Sequence, residues 1–176
     1  MFTAKKNSTA KLGLALLAIA VVGLLATGCS QNSPLAPSDN GLDALLKSKA
    51  AGNHADGSIF VTPQKGGVLK LEVVGARTEL HIPSGAVAEP VEITGSVESF
   101  MTENGMTFIY DFGPDGLVFL EPAKLKIKTD DKRDKVLTLW WFNPATDQWE
   151  FQACASPDAN GTSQFRINHF SKYAIS

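Results

Sequence analysis

The sequence predicts an all-β protein: a β-sandwich of about nine or ten short, mainly antiparallel strands, preceded by a signal peptide and a flexible tether. Three observations point to it. Apolar and polar residues alternate at period two in several segments after residue 57. Turn-forming residues interrupt those segments at roughly 8–12-residue spacing. No stretch beyond residue 57 carries the 3.6-residue period of a helix. The sandwich is placed at residues 58–176, about 119 residues, an ordinary size for one hydrophobic core.

At the amino end, Lys5, Lys6 and Lys11 make a positive start, and an unbroken apolar and glycine stretch runs from Leu12 to Ala26. At about 1.5 Å per helical residue it reaches roughly 22 Å, short of the ~30 Å hydrocarbon core of a bilayer. A secretory signal over residues 1–28 is therefore expected rather than a membrane span. Ala26, Thr27 and Gly28 are small and stand directly before Cys29. The stretch resembles a bacterial lipoprotein signal with its lipobox, although Ala26 takes the usual leucine place and Leu25 lies one earlier. That resemblance implies cleavage after Gly28 and acyl chains, palmitate among them, on Cys29. Several chains anchor firmly because each buried methylene contributes about 0.8 kcal/mol, whereas one myristoyl-length chain holds only marginally. Ser30 is not Asp, so the resemblance implies the outer membrane rather than the inner.

Residues 1–28 hold three of the chain's 16 basic residues and none of its 18 acidic ones, so their removal takes the formal charge from −2 to −5. A mildly acidic chain is not expected to bind nucleic acid, which needs a basic face. With Cys29 lipidated, Cys154 is the remaining cysteine, and packing without an intrachain disulfide is expected of it.

Residues 29–57 are rich in Ser, Asn, Pro, Ala and Gly and bury too little to fold alone. As a flexible spacer they average ~30 Å end to end. Leu42, Leu45 and Leu46 have helical spacing, which suits a short helix over 42–50, although helices of this length are marginal in isolation.

The strands follow. In "KLKIK" (124–128) Leu125 and Ile127 share one face and three lysines the other. "WEFQA" (149–153) places Trp149, Phe151 and Ala153 together, and "QFRIN" (164–168) pairs Phe165 with Ile167. "VLTLWWF" (136–142) is nearly all apolar, as suits a strand covered on both faces. Turn signals lie between them at Gly66-Gly67, Pro83-Ser84-Gly85, Gly113 to Gly116, Asn143-Pro144 and Asn160-Gly161. Asn-Gly suggests a type I′ hairpin, and the charge run "KTDDKRDK" (128–135) a solvated hairpin tip.

Four segments, "GGVLKL" (66–71), "LHIPSGAV" (80–87), "YDFGPDGLVFLEPAKLKI" (110–127) and "HFSKYAIS" (169–176), resemble the ZU-five domain, named for zonula occludens proteins and Unc-five netrin receptors. The third is the most specific. Together they span residues 66–176. The resemblance implies a β-sandwich used mainly for protein–protein contact. It also implies one reaction to weigh, since some relatives cut themselves between Phe and Ser of a His-Phe-Ser triplet. Here Ser171 would attack the Phe170 carbonyl with His169 as base. That chemistry needs a strained peptide and an activated hydroxyl. Only the six residues Ser171 to Ser176 follow the bond, so the expectation is a closing strand rather than a cleavage site.

Other groups point to no chemistry. His54, His81 and His169 lack metal-ligand spacing. Asp111 and Asp115 flank one turn and Asp130, Asp131 and Asp134 crowd another, none with the spacing of a calcium loop. Glu92 and Glu98 are expected to point outward from a strand rather than to pair. Trp140, Trp141 and Trp149 would stack on a glycan if exposed, but in a sandwich they are expected in the core. No cofactor or metal is expected. The expected function is a non-enzymatic interaction module, lipid-anchored at the bacterial cell envelope and contacting an envelope protein or glycan. Self-cleavage at Phe170-Ser171 and carbohydrate binding by exposed tryptophans are the alternatives.

Overall fold

The computed structural model describes residues 53–102, 105–130 and 135–176. The signal peptide, Gly28, Cys29, the 42–50 segment and Asp131 and Asp134 lie outside these residues.

The described chain forms ten strands: β1 (Asn53–Val61), β2 (Gly67–Val73), β3 (Ala76–Ile82), β4 (Val91–Thr102), β5 (Gly105–Gly113), β6 (Val118–Thr129), β7 (Leu137–Asn143), β8 (Gln148–Ala155), β9 (Thr162–His169) and β10 (Lys172–Ile175). They make a six-stranded sheet in the order β1-β4-β5-β10-β7-β8 and a four-stranded sheet in the order β2-β3-β6-β9. Every pairing is antiparallel. The predicted β-sandwich is thus the observed fold.

Period-two alternation explains why the sheets meet. Leu69 and Leu71 of β2, Leu125 and Ile127 of β6, and Phe165 and Ile167 of β9 turn inward from the small sheet. Ile93 and Val97 of β4, Tyr110 and Phe112 of β5, and Tyr173 and Ile175 of β10 join them from the large one in a single apolar cluster. Burying each such side chain contributes about 1.5–3 kcal/mol. Polar contacts also link the two sheets: the hydroxyls of Thr78 on β3 and Tyr110 on β5 lie 2.8 Å apart within this core.

That phenol carries a pH prediction. Burial pushes Tyr110 well above its ordinary value, offset in part by the Thr78 hydrogen bond, and burial pushes Tyr173 up as well. These are the chain's two tyrosines. An unfolded chain ionises them near pH 10, whereas the fold keeps them neutral. Their stabilisation is therefore complete below pH ~10 and is lost as pH rises above it, by about 1.4 kcal/mol per pH unit for Tyr110. Tyrosinate absorbance is expected to appear together with loss of near-ultraviolet circular dichroism. Phenols titrating near pH 10 in an intact fold would contradict the burial argument.

Four local readings change. β1 begins at Asn53, inside the stretch read as tether, because residues 53–57 pair with Gly95–Ser99 of β4. "WEFQA" does not keep one face. Between β7 and β8 the pairs Leu139↔Ala153 and Trp140↔Phe151 leave Gln152 as an extra residue. This bulge sends Trp149 and Phe151 outward with Trp140, while Ala153 stays with the main core. Asn160-Gly161 closes no hairpin, since β8 and β9 belong to different sheets. Of the two, only Gly161 has positive φ, and the Asp158 carboxylate accepts the Asn160 and Thr162 N–H groups at 2.8 and 3.0 Å. Nor is 128–135 a hairpin tip, because β6 and β7 also lie in different sheets.

Candidate functional site

The His-Phe-Ser triplet sits where the chain changes sheets. β9 pairs with β6 in the small sheet, and β10 pairs with β5 and β7 in the large one, so Phe170 and Ser171 are the crossing. A second crossing, from β5 to β6 through Gly113–Leu117, runs beside it. The two are joined by backbone hydrogen bonds. The Phe170 N–H donates to the Leu117 carbonyl at 2.8 Å, Gly116 N–H to the Phe170 carbonyl at 3.2 Å, and Phe112 N–H to the Ser171 carbonyl at 3.4 Å. Gly116 holds φ +75°, a conformation a side chain would strain, and so aims its N–H at Phe170. The two segments with the most distinctive sequence, "YDFGPDGL" and "HFS", therefore form one corner.

Phe170 is 1 % exposed. Its ring stacks on Phe112 at 5.5 Å and meets Phe119 edge-on at 4.8 Å. His169 is turned elsewhere. Its ring lies 5.4 Å from Trp141, edge-on, and 6.1 Å from Tyr173, stacked. The Tyr173 hydroxyl donates to the His169 carbonyl at 2.8 Å. Ser171 Oγ makes no hydrogen bond to His169, and neither Phe170 nor Ser171 has positive φ or a cis bond. In this geometry the Ser171 hydroxyl has no base, and its side chain contributes little to the corner.

Elsewhere the predicted candidates stand apart. His81 on β3 faces out and contacts Glu79 at 2.8 Å, which holds the Glu79 carboxyl below its usual range. His54, read as tether, lies on β1 beside Asp56 at 3.4 Å and Glu98 at 3.8 Å. Glu92 and Glu98 are six residues apart on one strand, roughly 20 Å at ~3.3 Å per residue, so they do not pair. Asp111 sits on β5 opposite Lys172. Among the described residues no three His, Cys, Asp or Glu side chains are placed to hold a metal. Trp140 and Trp149 are 3 % and 7 % exposed and offer no open ring. Trp141 is half-buried, and its indole N–H is buried without a partner. Cys154, on the outward face of β8, is disulfide-bonded, which corrects the expectation of packing without a bridge.

One feature was not legible as a site in the sequence: the outer face of the small sheet. Register brings Arg77 opposite Lys128 and His81 opposite Lys124, and sets Lys124 against Arg166. Glu72 neutralises Arg77 at 2.9 Å, and Glu79 lies 3.4 Å from Lys70. A groove on this face is lined by Arg77, Glu79, Lys126, Lys128, Asp158 and Gln164, with Glu79 opposite Lys126. The lysine spacing in "KLKIK" signals an exposed row, but only pairing with β3 and β9 shows that cations face cations. No family model matches the chain, and no curated protein is significantly similar to it.

Proposed function

We propose that this chain is a lipid-anchored protein of the bacterial cell envelope, at the outer membrane, whose β-sandwich is a non-enzymatic interaction module of the ZU-five kind. The anchor rests on the Lys5–Cys29 stretch, and the family reading on the four segments between 66 and 176. The interaction role is carried by one observation, the basic outer face of the small sheet. Like charges placed directly opposite on neighbouring strands destabilise a sheet by about 0.2–1 kcal/mol per pair. Lys124 against Arg166 and Arg77 against Lys128 are such pairs, only partly offset by Glu72 and Asp158. An anionic partner, either an acidic envelope protein or an anionic glycan, removes that repulsion on binding.

Two experiments test the parts separately. Growth with an alkyne palmitate is expected to label the protein, and Cys29→Ser to abolish label and membrane retention together. A thioether sulfur has no valence left for a disulfide, and the chain has two cysteines. The intact mass before and after reduction therefore also reports whether an intrachain bridge excludes the lipid. Loss of Ser171–Ser176 from that mass, abolished by Ser171→Ala, would instead establish self-cleavage. For the binding face, Lys126→Glu with Lys128→Glu is expected to abolish crosslinks formed on intact cells. Lys128→Gln should weaken them while leaving thermal stability unchanged or slightly raised. Crosslinks indifferent to these changes would remove the basic face from the function.

A further inference from the structure

The outer faces of the two sheets carry opposite charge. On the small sheet, the outward positions of β2, β3, β6 and β9 hold Lys70, Arg77, Lys124, Lys126, Lys128 and Arg166 against Glu72 and Glu79, a formal +4. On the large sheet, the outward positions of β1, β4, β5 and β10 hold Asp56, Glu92, Glu98 and Asp111 against Lys172, a formal −3. Alternation puts each set on one side of its strands, so the register that builds the core also sorts the charges. Pairing aligns Asp56, Ser96 and Asp111 in one row across β1, β4 and β5. With Ser58, Glu92 and Thr94 they line a shallow hollow whose lining includes no basic side chain.

We infer that the partner of the basic face is a second copy of this chain, bound through that acidic hollow. This rests on the reading of the basic face as the interaction surface and narrows its anionic partner to one. Charge complementarity carries it, since each copy brings a +4 face and a −3 face of its own. The donor sets agree. Each lysine offers three N–H donors and no acceptor, while carboxylates accept only and the Ser and Thr hydroxyls accept as well. Dimensions agree too. Lys124 to Lys128 spans four residues of β6, and Glu92 to Ser96 spans four residues of β4, each about 13 Å. Lys124, Lys128, Asp56, Glu92 and Asp111 are all exposed, so both charge sets are open to contact. Carboxylates brought over the lysines offset the repulsion between Lys124 and Arg166 and between Arg77 and Lys128. The two faces lie on opposite sides of the sandwich, so each bound copy leaves one face of each sign free. The contact is therefore head-to-tail and extends as a row of copies instead of closing as a two-fold dimer. Salt weakens such a contact, because the screening length falls from ~8 Å at 0.15 M to ~3 Å at 1 M.

Two differently tagged full-length copies, co-expressed and crosslinked on intact cells, test this inference. Each tag is expected to bring down the other. Lys126→Glu with Lys128→Glu in both copies should abolish that co-capture, and so should Asp56→Lys with Glu92→Lys in both copies. One copy of each variant should restore it, because the intact basic face of one meets the intact acidic face of the other. Sedimentation of the mature protein in detergent is expected to give roughly twice the one-copy protein mass or more at low salt, and one copy near ~1 M salt. Absent co-capture in the wild type, co-capture that survives either reversal, or failure of the mixed pair overturns the inference. Crosslinks to a different component, lost with the lysine reversal alone, also overturn it but leave the basic face as the interaction surface. Crosslinks indifferent to the lysine reversal remove both. If a reversal lowers the melting temperature, Lys126→Gln with Lys128→Gln and Asp56→Asn with Glu92→Gln are read by the same outcomes.

Discussion

Phe170→Ala is expected to lower the unfolding free energy by about 3–5 kcal/mol, the cost of removing a buried aromatic ring and leaving its cavity. For a domain of this size that corresponds to a fall in Tm on the order of 10–20 °C. The site sets the large value. Phe170 lies at the crossing between sheets, held by Phe112 and Phe119 and by two backbone hydrogen bonds to the neighbouring crossing. Neither sheet can relax into the gap without pulling the Gly116 and Leu117 bonds apart. Ser171→Ala is the matched control. Its hydroxyl has no hydrogen bond among the described residues, while its carbonyl, untouched by the change, accepts from Phe112. A shift within about 0.5 kcal/mol is expected. Denaturant melts of both variants decide the matter. A loss below about 1 kcal/mol for Phe170→Ala would show that the corner is not a packing anchor.

The second large effect is expected at Gly66. A Cβ there would overlap the Ile82 carbonyl oxygen and come within 2.6 Å of the Pro83 carbonyl carbon. Both are backbone atoms at the end of β3, so no rotamer change relieves the clash. Ordinary overpacking costs about 1–3 kcal/mol; Gly66→Ala is expected at or above the top of that range. Gly57→Ala provides the comparison, since its Cβ would meet a flexible Leu69 methyl group at 3.2 Å. Thermal melts should separate the two by several degrees, and equal melting temperatures would contradict the close approach.

Local pattern was enough for much of this protein. Alternation in 124–128 and 164–168 identified Leu125, Ile127, Phe165 and Ile167 as core, because side-chain direction in a strand depends only on the neighbouring residues. The continuous apolar run at 136–142 likewise identified a strand closed on both faces, with Leu139 and Trp140 buried on opposite sides. The Gly66-Gly67 pair read as a turn, but the reason alanine is barred there lies in β3, a segment the turn does not contain.

What the sequence determined alone was strand identity and the inward face of most strands. Tertiary structure decided which strands share a sheet, and with that the meaning of several motifs. Asn160-Gly161 and 128–135 look like hairpins locally but connect opposite sheets, since pairing partners are chosen by contacts far away in the chain. One extra residue at Gln152 reversed the outlook of Trp149 and Phe151, and strand register alone set Lys124 against Arg166. Period two is written residue by residue, whereas bulges, registers and sheet crossings are settled only when distant strands compete to bury their apolar sides.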